Sequence, residues 1–221
     1  CAPWLREAAA LAERHGDDAS EGLARTWLVW KQLFRQGPNA ALPLAWQAHE
    51  SAQATDDPWA RALASLALGF ATGEAGELDT AHRVFTEAAT SFDACGDLWG
   101  RAAALTELAR ISFRRGERGT LALAEQAVAA SRTARNQWQA VQAMGLIVEI
   151  CRAQGDLDRA SQLGAEAAAL AYENAWGRML YRIFGVGDQA IAVVLAAYFF
   201  GLGAGSALGG RFAERVRRPA L

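Results

Sequence analysis

Gly37, Gly76, Gly116 and Gly155 stand 39, 40 and 39 residues apart, and Trp59, Trp99 and Trp138 keep step with them at spacings of 40 and 39. A fixed period in this range means that one supersecondary unit has been copied, and that each copy can bury its apolar face only against its neighbours. Ala, Leu, Arg and Glu dominate, β-branched residues are sparse before position 170, and the 221 residues include only five prolines. That composition favours helix almost everywhere. The fold class expected is therefore all-α, a solenoid of helix pairs.

In register, the stretches before the glycines are 22–35, 61–74, 101–115 and 140–154, each with apolar residues three and four apart. These are the first helices of four pairs. The second helices follow at 40–54, 78–94, 121–134 and 157 to about Tyr172, and short polar links such as Asp56-Asp57-Pro58, Gly96-Asp97 or Arg135-Asn136 close each unit. The repeat domain so defined covers residues 1–174, with a leading helix before the first pair, and 175–221 form a separate C-terminal segment.

The clearest unit runs from Ser65 to Ala88 and carries Leu68-Gly69, Gly76-Glu77-Leu78-Asp79, Ala81, Phe85 and Ala88. It resembles the tetratricopeptide repeat. The resemblance implies that Gly69 and Ala81 lie where the two helices of a pair approach closely, and that Phe85 and Ala88 pack on the next unit. Gly155-Asp156-Leu157-Asp158 with Ala160 and Ala167 repeats the signal; elsewhere Leu42 and Leu121 occupy the small position and Glu125 replaces the aromatic. The period exceeds the family's 34 by five or six residues. Long-period arrays of this kind are similar to the C-terminal arms of LuxR-type bacterial regulators, and the likeness implies a right-handed superhelix.

In that arrangement the first helices line a concave groove, and Trp27, Lys31, Arg35, Phe70, Glu74, Arg110, Phe113, Arg114, Glu149 and Arg152 project from it. Aromatic and arginine side chains are the types that anchor protein partners. The function expected is a non-catalytic scaffold holding a peptide or a partner domain, with no cofactor, no metal and no small-molecule substrate. The periodic tryptophans Trp59, Trp99 and Trp138 read as packing between units. Cys1, Cys95 and Cys151 form neither a disulfide framework nor a zinc-ligating spacing with His15, His49 or His82, so buried, reduced thiols are expected.

Charge is unevenly placed. Residues 175–221 hold six arginines against Asp188 and Glu214, leaving 16 basic and 22 acidic residues before them. An acidic array does not suit nucleic acid, which needs a clustered basic face. Asn174-Ala175-Trp176-Gly177-Arg178 echoes Asp97-Leu98-Trp99-Gly100-Arg101, as though a fifth unit began. The pattern then fails. The 22 residues 189–210 carry no charge, long enough as a helix to cross a hydrocarbon core of about 30 Å. Gly201, Gly205 and Gly209 would give that helix a smooth packing stripe. The alternative is a glycine-rich buried helix that caps the stack.

From about Gly164 onward, Ala168-Ala169-Leu170-Ala171-Tyr172-Glu173, Phe184-Gly185, Gly201-Leu202-Gly203 and Gly209-Gly210-Arg211 also resemble the start of the membrane domain of spermidine synthase-like proteins. That implies a parent enzyme whose catalytic parts this chain lacks. Two alternatives to a free-standing scaffold thus stay open: an N-terminal fragment of such a synthase, or the sensor arm of a transcriptional regulator. With Cys1 in place of a starting Met, the chain is expected to be a fragment of a longer one. Arg211, Arg215, Arg217 and Arg218 place the basic C-terminal end in the cytoplasm. The location implied is the bacterial cytoplasm, at the inner membrane.

Overall fold

The computed structural model describes residues 2–184 and residue 200. Of residues 189–210 only Phe200 is described, so the proposed span and its Gly201, Gly205 and Gly209 lie outside the described residues; among those described no helix is long and apolar enough to cross a membrane.

The described chain is helical: α1 (Ala2–His15), α2 (Asp18–Gln36), α3 (Pro38–Gln53), α4 (Pro58–Ala75), α5 (Leu78–Ala94), α6 (Leu98–Arg114), α7 (Thr120–Thr133), α8 (Gln137–Gln154) and α9 (Leu157–Phe184). The four first helices are α2, α4, α6 and α8, and α1 leads them. Residues Cys1–Ala171 form one compact unit and Tyr172–Leu221 another.

Each first helix starts on a side-chain cap that recurs with the repeat. Asp17, Asp57, Asp97 and Asn136 accept hydrogen bonds from the backbone N–H groups of Ser20, Trp59, Gly100 and Gln139. Such caps satisfy amides that the first turn leaves unpaired, each worth about 1 kcal/mol. Gly76, Gly116 and Gly155 end their helices with positive φ. Just beyond them, the amides of Glu77, Glu117 and Asp156 reach back to the carbonyls of Thr72, Ser112 and Cys151, as in Schellman turns. Gly37 differs, with φ 84° and ψ 174°. The proline that follows it excludes helical ψ at the preceding residue, so the period survives there while the turn changes.

Sequential helices from α1 to α8 pack on one another, and α2 also touches α4, α4 touches α6 and α6 touches α8. Among the described residues neither α3 and α5 nor α5 and α7 touch in this way. The first helices therefore form the inner layer of a curved stack. Its core is built from alanine seams and a few large side chains, among them Phe85, Phe92, Leu68, Met144 and Ile150.

The tightest seams surround α5. A Cβ on Gly69 would come within 2.5 Å of the Phe85 ring, and one on Gly100 within 2.5 Å of the Phe92 ring. Gly69 thus occupies the close approach that the repeat resemblance implies. Phe85 of α5, however, packs against Gly69 of its own pair's first helix α4, and Phe92 makes the corresponding contact with Gly100 of the following first helix α6. Behind this layer His49 is buried beside Ser65, its Nδ1 3.3 Å from the hydroxyl. Burial pushes its pKa below the ordinary value, against an opposing pull from Glu87.

Three expectations are corrected. Trp99 and Trp138, expected to pack between units, are 57% and 55% exposed, whereas Trp59 keeps a contact with the next unit. They sit in the first turn of their helices, beyond the alanine seams, and Trp59 donates its indole N–H to the capping Asp97 at 2.9 Å. Cys95 is exposed in a turn, whereas Cys151 is buried. The echo at 174–178 starts no new unit, because α9 runs through it unbroken; Ala168 to Ala171 propagate helix, and no glycine or proline intervenes before Gly177.

Replacing Gly69 with alanine forces the Phe85 ring from its seat and should cost about 1–3 kcal/mol in thermal or urea unfolding. Gly145 lies inside α8 with nothing within 4 Å of its would-be Cβ, so Gly145→Ala should instead add about 0.5–1 kcal/mol. Equal effects of the two changes would mean that the seam is not close-packed.

Candidate functional site

The inner layer presents a face that runs from α2 to α8. Its character changes along the way. At the α2 end, Trp27, Trp30, Lys31 and Phe34 follow one another at helical spacing, and α1 lies antiparallel beside them. Trp4 and Leu5 of α1 complete a groove of about 1010 Å³ with these four residues. Phe34 is 81% exposed, Trp4 79% and Trp27 53%.

These rings are not loosely hung. Phe34 stacks on Trp30 at a centroid distance of 6.3 Å, Trp30 meets Phe70 edge-on at 4.9 Å, and Phe70 meets the buried Phe85 at 5.6 Å. Aromatic pairs at such separations are attractive beyond their buried area. The chain of contacts ties the exposed end of the groove to the core.

A second recess of about 630 Å³ adjoins the first through Lys31, and Arg6, Arg35 and Leu44 also line it. Among the described residues no carboxylate lines either recess. Among the described residues Arg6, Lys31 and Arg35 form no ion pair.

The middle of the face is polar and internally engaged. Arg110 Nε donates to Glu107 Oε2 at 3.2 Å. Burial raises the Glu107 pKa, the charge and hydrogen bond of Arg110 lower it, and the negative charge of Glu74 raises it again. Arg114 reaches back one unit to donate from Nη1 to the Gly73 carbonyl at 2.8 Å, linking the ends of α6 and α4. Phe113 is half-buried against the core. Farther on, Glu149 and Arg152 are exposed on α8, and among the described residues neither forms an ion pair.

The structure thus gathers Trp27, Lys31 and Arg35 at one end and Glu74, Arg110 and Arg114 in the middle. Phe70 and Phe113 serve packing as much as surface. Trp4, Leu5, Arg6, Trp30 and Phe34 are additions to the sequence-predicted set. Trp30 and Phe34 were detectable as the i+3 and i+7 partners of Trp27, whereas Trp4 joins them only through the pairing of α1 with α2.

No protein-family profile matches the sequence, and no curated protein matches it. Among solved structures the fold is similar to that of aspartyl phosphate phosphatase F from Bacillus subtilis. The TM-score is 0.67 at 11% identity, over 91% of this chain and 55% of that one. This chain therefore spans about half the length of that protein. The likeness supports a tetratricopeptide-like helical array; the likenesses to regulator arms and to spermidine synthase-like membrane domains stand on their motifs alone.

Arg114→Ala should lower stability by about 1 kcal/mol, because the Gly73 carbonyl loses a charged donor from the neighbouring unit. Arg152→Ala, which breaks no such link, should leave the unfolding midpoint in place. Denaturation of both variants checks this; a neutral Arg114→Ala would return that residue to the free groove surface.

Proposed function

We propose that this chain is a non-catalytic protein-binding module, which holds a segment of a partner protein against the face formed by its first helices. The observation that carries the proposal is the inner face itself. It runs along four successive first helices and keeps Trp27, Phe34 and Arg35 accessible at its α2 end and Glu149 and Arg152 at its α8 end. Affinity would come from a few buried anchors rather than from the whole contact area. The likeness to the phosphatase supports the helical scaffold and lends this chain no reaction.

A photo-cross-linking residue at Lys31 or Glu149 should capture a discrete partner, whereas the same residue at Arg132, on second helix α7, should not. The captured protein, purified, should then bind the wild-type chain and lose at least about tenfold in affinity to Trp27→Ala combined with Arg152→Glu. Capture from Arg132 alone, or unchanged binding by the double variant, would overturn the reading.

We further propose that residues 189–210 attach the array to a bacterial inner membrane. The support is their uncharged length and the arginines that follow. Cells expressing residues 1–221 should carry the chain in the membrane fraction at high salt, and a chain ending at Tyr172 should be released. Release of both sinks the tether and leaves the binding proposal intact.

A further inference from the structure

The aromatic groove and the basic recess at the α1–α2 end share Lys31, which makes them two halves of one surface. Resting on the protein-binding reading, we infer that this surface docks an acidic amphipathic helix of a partner protein, whose apolar side chains enter between Trp4, Trp27 and Phe34 and whose carboxylates meet Arg6, Lys31 and Arg35.

Charge complementarity selects the sign of the partner. Three cations line the recess, and among the described residues no carboxylate does. Elsewhere on the array, arginines are commonly neutralised: Arg25 by Glu21, Arg83 by Glu87, Arg101 by Asp93 and Arg132 by Glu166. A carboxylate arriving between Lys31 and Arg35, one helical turn apart, would find two unpaired donors and a partly apolar wall from Leu28 and Leu44, where charge-assisted hydrogen bonds gain over those in open water.

Periodicity selects a helix. The anchors on α2 recur at i, i+3 and i+7, and Lys31 and Arg35 lie at i+4 and i+8, so apolar and basic rows run side by side along one helix. A segment with the same 3.6-residue period can set its own rows into both, as packed helices do. Rigidity favours docking as well. Trp30, held between Phe34 and Phe70, already has its ring placed, so little rotamer freedom remains to be lost. A bilayer fits less well: it is flat on this scale and reaches the protruding Trp4 and Phe34, but not a recess between α1, α2 and α3.

The test pans a random display library of peptides of roughly four helical turns on the immobilised full chain. Counter-selection uses the variant carrying Lys31→Glu, Arg35→Glu and Phe34→Ala, after circular dichroism has shown its melting unchanged. The expected clones carry apolar residues three and four apart with acidic residues on the neighbouring row. As synthetic peptides they should lose at least about tenfold in affinity to the variant, and weaken with added salt. Basic or charge-indifferent clones would overturn the inference. Clones indifferent to this variant but sensitive to Arg110→Glu and Arg152→Glu would overturn it too, while sparing the wider groove reading; with no specific clone on any surface, both fail.

Two further arms address other occupants. Co-sedimentation with phosphatidylcholine vesicles, with and without phosphatidylserine, should show no binding that depends on Lys31, Arg35 and Phe34. Light scattering should show the same mass for wild type and Phe34→Glu. Variant-sensitive vesicle binding would assign the surface to lipid, and a dimer dissolved by Phe34→Glu would assign it to a second copy of the chain.

Discussion

Two phenyl rings placed over two glycines set the spacing on which the rest of the array depends. Phe85 and Phe92 stand two turns apart on one face of α5, and that face sits over the seam between α4 and α6, with Gly69 beneath one ring and Gly100 beneath the other. The absent Cβ atoms let three helices close to a distance at which alanines such as Ala81, Ala88 and Ala109 fill the remaining space. Because α4 and α6 also touch directly, the inner layer is shorter than the outer, and the stack bends toward it. A face of first helices follows from that bend. A core made mostly of alanine buries little area per residue, so the seams must be close to contribute; a gap of even a fraction of an ångström forfeits much of the dispersion they supply.

The repeat was legible because turns and caps are local chemistry. A helix must end somewhere, and glycine or a short polar side chain at the end is recognisable without knowing what the helix touches. This is why the helix pairs, their order and the close approach at Gly69 could be read from spacing. It also explains why Gly37 kept its place in the period while adopting a different turn: the proline after it decides ψ, and the period does not. The recurring Asp17, Asp57, Asp97 and Asn136 were the strongest such signal, visible in the sequence yet readable as mere links.

Tertiary placement was less legible. Periodic tryptophans look like core because their bulk would supply buried area, but here alanine supplies the seams and the indoles stand in first turns beyond them. Glu125, where the repeat pattern favours an aromatic, illustrates the converse: it pairs with Arg159 of α9, so a missing ring is replaced by an ion pair between units. At the other end, nothing in the spacing of α1 says which edge of α2 it covers. Trp4 could not be assigned to a groove until that pairing was known. The unbroken α9 has the same lesson in reverse, since an echo of the unit's opening residues could not start a new helix without a breaker in front of it.

The distribution of charge separates what keeps the array in register from what is left available. Ion pairs on the outer side, Arg132 with Glu166 and Arg159 with Glu125, join the second helices α7 and α9. Exposed pairs of this kind are worth only about 0–1 kcal/mol, so their effect is on alignment more than on stability. Arg6, Lys31 and Arg35 have the opposite character. Clustered cations repel one another, and the aromatic rings beside them leave apolar surface in water, so neither feature stabilises the isolated fold. The long-range seams fix the shape of the face, and a handful of side chains on α1 and α2 fix its sign. A different choice at those few positions would leave every seam intact and change what the face attracts, which is how one helical scaffold comes to serve unrelated partners.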